Sequence, residues 1–190
     1  MSNTKLGIQM AEVVEQSIGG GVLDFELLPV LGGKAQGLGS ILDGGKVGGV
    51  IVFWSAVCSH CRRYDDYLQV FAARYPSVGL GVIGAREKED VDVLTKAINA
   101  RSLQFPILHD ADLSVSRSWL VCQTPRAFLI DADRILIYRG AIDNFKYPKD
   151  PDYAPYLDQA IEDFLAGQEV RRAETPGFGC PTESVYYHRS

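Results

Sequence analysis

Cys58 and Cys61 stand three residues apart, directly after the apolar run Val50-Ile51-Val52-Phe53-Trp54 and ahead of a helix-like stretch over residues 62–74. Two thiols at that spacing on the first turn of a helix can close a small ring through sulfur and open it again. The first thiol meets the unpaired N–H groups and the positive end of the helix dipole, which favour a thiolate over a thiol of ordinary pKa ~8.5. The chemistry this predicts is dithiol–disulfide exchange. Cys58, at the helix start, is expected to be exposed and to act as the nucleophile. Cys61, one turn on and on the inner side, is expected to resolve the mixed disulfide. His60 lies between them, and an imidazolium there would favour the Cys58 thiolate; a solvated helix residue is the plainer reading of the same histidine. Trp54 precedes the motif and is expected to pack beside it, as a plain core aromatic, as part of the site, or both. A zinc site would need four ligands, and no second Cys-x-x-Cys or His pair follows at useful spacing, so no metal and no cofactor is expected.

Of the four cysteines, the other two are singles, Cys122 and Cys180. Cys122, three residues before Pro125, reads first as a small buried hydrophobe, with an accessory thiol near the site as the alternative. Cys180 sits between Gly179 and Pro181 in what reads as an exposed tail. It is open to pairing with Cys122, to joining another molecule or to acting as an accessory redox thiol. His109 and His188 have no partner legible in the sequence. The acidic-aromatic loop 143–156 reads as shielding a sheet edge or lining a partner groove.

The elements that must hold these groups follow from periodicity and punctuation. Residues 4–18 predict an amphipathic helix, packed on the domain or used as a dimer contact or membrane-proximal segment, and Gly19-Gly20-Gly21 predicts a hinge after it. Strands are expected over 24–30, 50–54, 78–83, 105–108, 126–130 and 135–139, with a hairpin turn at Asp131-Ala132-Asp133-Arg134. Helices are expected over 59–74, 87–101, 112–119 (with Asp112 as N-cap) and 154–166, and a long loop or hairpin over 32–49. Strands alternating with helices imply a partly parallel sheet covered on both faces. The organisation expected is an N-terminal helix and hinge over 1–21, one α/β domain over 22–167 and a tail over 168–190.

Composition agrees with a globular domain: 190 residues, 46% hydrophobic and 23% charged, with a net charge of −5 that argues against a nucleic-acid surface. No stretch approaches the ~18 apolar residues of a spanning helix. With no apolar block of signal-peptide length in residues 1–18, the chain as written reads as cytoplasmic, or as periplasmic if a leader was removed. The oligomeric state is not legible.

Four segments then carry a likeness: Phe53-Trp54-Ser55-Ala56-Val57-Cys58-Ser59-His60-Cys61, Thr124-Pro125, Phe128-Leu129-Ile130-Asp131 and Tyr138-Arg139-Gly140. In this order, over residues 24–166, the chain resembles the thioredoxin fold. Within it, the chain resembles the redoxin family of cytochrome-maturation thiol-disulfide oxidoreductases, related to alkyl hydroperoxide reductases and thiol-specific antioxidant proteins. The resemblance implies a central mixed sheet with helices on both faces. It implies a cis Pro125 opposite the dithiol, with Thr124 offering backbone groups to an extended substrate segment and Trp54 on the substrate-binding side. Its implied partners are protein thiols and disulfides and an upstream dithiol electron donor. Thioredoxin carries a buried Asp two residues before the Trp, whereas this chain has Val52, so the proton path behind Cys61 must use another group. A peroxiredoxin-like thiol peroxidase is the alternative enzyme: Ser55 fills that family's hydroxyl position and Arg126 is near, but Ile51 stands where its Pro belongs. A redox-sensing, partner-binding module of the same fold is the alternative outside enzymes.

Overall fold

The computed structural model describes residues 17–184. The helix expected over 4–18 therefore lies outside the described residues except at its very end, as does His188. In chain order the elements are α1 (Leu38–Ile41), β1 (Gly48–Trp54), α2 (Ser59–Arg62), α3 (Asp65–Arg74), β2 (Val78–Gly84), α4 (Val91–Arg101), β3 (Ile107–His109), α5 (Ser114–Ser118), β4 (Gln123–Thr124), β5 (Arg126–Asp131), β6 (Leu136–Gly140), α6 (Tyr156–Leu165) and β7 (Cys180–Pro181). A five-stranded sheet runs in the order β3-β2-β1-β5-β6. β1, β2 and β3 are mutually parallel, and β5 runs antiparallel to both β1 and β6. This is the mixed sheet of the thioredoxin fold.

β1 is apolar without interruption because it is central: every one of its residues is buried. Its side chains alternate between the two faces of the sheet. Val50, Val52 and Trp54 join Leu68 and Phe71 of α3, Leu94 and Ile98 of α4, and Leu157 and Ile161 of α6. Ile51 and Phe53 join Leu38 and Ile41 of α1, Val115 of α5, Phe25 and Trp119 on the other face. Two cores thus clamp the strand that ends at the dithiol.

Four local expectations are corrected. Residues 24–30 form no regular strand and make only isolated bridges, Leu27 with Gln36 and Pro29 with Leu108. Pro29 has no N–H for a ladder, and the Asp24 carboxylate turns to accept the backbone N–H of Phe25 (2.8 Å) and Leu38 (3.2 Å). The helix expected over 59–74 is two pieces. The ladder tightens where the Tyr64 N–H bonds the Cys61 carbonyl at 2.9 Å, and the Tyr64 hydroxyl is held by Asp143 at 2.6 Å. α4 begins only at Val91, because Asp90 is its N-cap and accepts from the Val93 N–H at 2.9 Å. At α5 the N-cap residue is Leu113 rather than Asp112. The buried Asp110 accepts the N–H groups of Val115 and Ser116 at 3.1 and 2.7 Å, while Asp112 accepts only that of Ser114. The Gly19-Gly20-Gly21 segment is tied to the sheet edge by hydrogen bonds of Gly19 and Gly20 with Leu136.

Candidate active site

β1 delivers the loop Ser55-Ala56-Val57 and then Cys58, which is the N-cap residue of α2. The Cys58 carbonyl accepts the N–H groups of Cys61 and Arg62 at 3.1 and 3.2 Å, so the first turn holds the two thiols side by side. Cys61 faces the core, as its place one turn along dictates. Cys58 is not exposed as expected: 1% of its surface is accessible, against 0% for Cys61. The cover is the tail. β7 pairs antiparallel with β4, setting Cys180 opposite Thr124 and Pro181 opposite Gln123.

The Thr124-Pro125 peptide is cis. The Cys58 sulfur lies 3.3 Å from the Thr124 carbonyl oxygen, a hydrogen bond open only to the protonated thiol. Stronger contacts act the other way. The Cys61 thiol donates to Cys58, burial opposes, and the Cys180 thiol donates as well, so that the Cys58 pKa falls to about 4. Cys61 is pushed well above the usual thiol range, first by burial and then by the hydrogen bond and charge of Cys58. Cys180 is also raised, by burial first and then by Cys58, with Arg86 opposing. One thiolate therefore sits between two thiols. The Thr124 hydroxyl is buried and lies against Cys61, whose thiolate it favours.

The other predicted residues sit as follows. His60 packs edge-on against Phe145 and Phe178, with ring centroids 5.1 and 5.5 Å away, and is not among the leading influences on Cys58. Trp54 is fully buried, which corrects its placement on a substrate-binding surface. Its Nε1–H donates to Asp65 at 3.0 Å, and the Arg101 guanidinium lies 5.5 Å from its ring. Arg101 also pairs with Asp65 at 3.2 Å and donates to the Ala56 carbonyl. Trp54 thus braces the motif from below. Cys122 is exposed, not a buried hydrophobe. The ladder sets its carbonyl against the Thr182 N–H, so Cys122 is not the strand partner of Cys180. Arg126 donates to the Thr175 carbonyl at 3.2 Å, and burial holds its pKa below the usual arginine value. His109 bonds the Glu89 backbone carbonyl at 3.0 Å. The loop 143–156, with Arg63, Tyr64 and Tyr67, lines a cleft of about 380 Å³ beside the site.

Glu89 was not singled out by sequence. It is buried, and its Oε1 accepts from the Ser55 hydroxyl at 2.7 Å and the Val57 N–H at 2.9 Å. It holds both ends of the loop that precedes Cys58, and the Ser55 backbone in turn contacts the Cys61 thiol. In sequence it belonged to an acidic cluster, Glu87, Glu89 and Asp90, that reads as the first turn of a helix; only the late start of α4 frees it.

The AhpC/TSA family profile matches residues 18–139. A thiol-disulfide oxidoreductase ResA of Bacillus anthracis is 28% identical over 82 residues, covering 43% of this chain and 47% of that protein. A thiol:disulfide interchange protein DsbE of Yersinia pestis is 31% identical over 91 residues, covering 47% of this chain and 46% of that protein. The matched stretch thus spans about half the length of each of these relatives. A hypothetical protein of Sinorhizobium meliloti has the same fold, with a TM-score of 0.75 at 24% identity over 87% of this chain and 93% of that one.

Proposed function

Because the chain belongs to the AhpC/TSA family, we propose that it is an enzyme of the thiol-disulfide oxidoreductase type that exchanges disulfides with protein substrates through Cys58 and Cys61. The observation that carries this reading is the pair of thiols on the first turn of α2 against the cis Thr124-Pro125 peptide, with the Cys58 pKa lowered by the Cys61 thiol beside it. The Cys58 thiolate attacks one sulfur of a substrate disulfide; the other substrate sulfur leaves as a thiolate and takes a proton. Cys61, losing its proton, then attacks Cys58, closes the Cys58/Cys61 disulfide and releases the second substrate thiol. Two electrons pass to the substrate, and an upstream dithiol restores the pair. Run backwards, the same steps oxidise a dithiol. The Thr124 backbone, beside cis Pro125, is the edge on which an extended substrate segment would pair in place of β7, which holds it in this structure. Glu89 acts as a positioning residue, fixing the loop that leads into Cys58.

The peroxidase alternative has less support. The Ser55 hydroxyl is committed to Glu89 and Arg126 to the Thr175 carbonyl, so neither is aimed at a small oxidant beside Cys58. The test is catalysis of dithiothreitol-dependent insulin reduction. Wild type is expected to be active and Cys58→Ser inactive. Equal rates for the two would defeat the proposal, and rapid peroxide consumption without insulin turnover would favour the peroxidase.

A further inference from the structure

The tail does more than cover the site. β7 lies antiparallel on the Thr124 edge that the proposed function assigns to a substrate segment. In an antiparallel ladder, bonded pairs alternate. With the Thr182 N–H bonded to the Cys122 carbonyl at 3.0 Å, Pro181 falls at the position where its missing N–H is not needed. The same register puts Cys180 opposite Thr124, whose carbonyl oxygen is 3.3 Å from the Cys58 sulfur.

The tail is fastened on both sides of this point. Before it, the Thr175 hydroxyl is bonded to the Tyr138 hydroxyl at 2.8 Å and accepts the Ala141 N–H at 3.0 Å. After it, the Thr182 hydroxyl donates to the Val121 carbonyl at 3.1 Å, and Glu183 pairs with Arg117 at 2.8 Å. Gly179 allows the close approach, since a Cβ there would stand 1.9 Å from the Thr124 carbonyl oxygen. The segment between these anchors is thus placed with a thiol, not an apolar side chain, against the nucleophile.

We propose that Cys180 is a third redox thiol, which forms a disulfide with Cys58 in exchange with Cys61. The inference rests on the exchange reading of Cys58. Starting from the Cys58/Cys61 disulfide, the Cys180 thiolate attacks the Cys58 sulfur. The Cys58/Cys180 bond forms, the Cys58/Cys61 bond breaks, and Cys61 leaves as a thiolate that takes up a proton equivalent to the one Cys180 gave up. No net electrons move. Cys180 then presents the disulfide on the outer side of the site, where a reducing partner reaches it without entering the core. In the reduced site Cys61 and Cys180 both donate to Cys58, so the three sulfurs lie in mutual contact around it.

The experiment uses the full chain as Cys61→Ser/Cys122→Ser, with oxidised glutathione as the probe disulfide. Cys58 takes one glutathione and releases the other; Cys180 then displaces the bound one. Intact mass should show a product without glutathione and two hydrogens lighter, with peptide mapping to a link between Cys58 and Cys180. The triple variant that adds Cys180→Ser should retain glutathione on Cys58 at least about tenfold longer, a barrier difference of about 1.4 kcal/mol. Cys61→Ser/Cys122→Ser/Gly179→Ala keeps both thiols but lifts the strand, and should form the link at least about tenfold more slowly, again about 1.4 kcal/mol. Equal retention of the adduct with and without Cys180, while wild type still reduces insulin, overturns the third-thiol inference alone. If Cys58 of the triple variant, with no resolving thiol left, takes no glutathione at all, the exchange reading beneath it fails.

Discussion

The balance of protons at the site is set among Cys58, Cys61 and Cys180, and what keeps them in register is the loop before them. Glu89 grips that loop through the Ser55 hydroxyl and the Val57 N–H. A displacement of a reacting group by about 1 Å can cost ~100-fold in rate. Glu89→Ala is therefore expected to lengthen the life of the substrate mixed disulfide by about ten- to a hundredfold, measured by quenched-flow trapping. Glu89→Gln should recover most of the loss, because an amide oxygen can accept the same two hydrogen bonds. Unchanged lifetimes in the alanine variant would remove Glu89 from the scheme. At this scale the cysteine pair and the Thr-Pro were legible from residue type and spacing. Glu89 was not, because its partners lie 32 and 34 residues away in the chain.

At the level of elements, the motif depends on a junction below it. Asp65 opens α3, Arg101 closes α4 and Trp54 ends β1. Asp65 accepts the indole N–H at 3.0 Å and pairs with Arg101 at 3.2 Å. Burial raises the Asp65 pKa, with Trp54 and Arg101 opposing, so the carboxylate is held in place by these two partners. Removing it strands the indole N–H and a largely buried guanidinium. Asp65→Ala is expected to cost about 3 kcal/mol, read as a lower denaturant midpoint with unchanged slope; a loss under ~0.5 kcal/mol would be that of an ordinary surface substitution and would refute the junction. The long apolar or strongly periodic elements, β1, β2 and α6, were readable because burial of a whole strand or helix face leaves its mark on every residue. β7 was not, since two residues carry no periodicity, and the break between α2 and α3 follows from Tyr64 reaching Asp143, a tertiary contact.

For the molecule as a whole, the active site enters the stability of the reduced form. Cys58 binds a proton in the unfolded chain up to pH near 9.0 and in the folded chain only below about 4. Between those limits the unfolded state holds more protons, so unfolding free energy rises with pH. The contribution is complete above the unfolded value and is lost as pH falls through the folded one. Cys61 and Cys180, both raised, act with opposite sign, but only above their ordinary range. The stability advantage of reduced wild type over Cys58→Ser should therefore grow from about pH 5 to about pH 8, measured by denaturant unfolding under reducing conditions. A flat or shrinking difference would show that the thiolate is not stabilised by the fold.

By itself the sequence determined the βαβ and ββα order, the strand that carries the dithiol and the type of chemistry two thiols at a helix start can do. These are local properties, written in periodicity, in turn residues and in a spacing of three. The tertiary structure alone decided that Cys58 is covered, that Trp54 is a brace within the core, that Glu89 holds the loop and that Cys180 faces the nucleophile. Each of those depends on segments distant in the chain meeting across the sheet edge, where pairing is chosen by complementary backbone groups and packing, which no short stretch of residues encodes on its own.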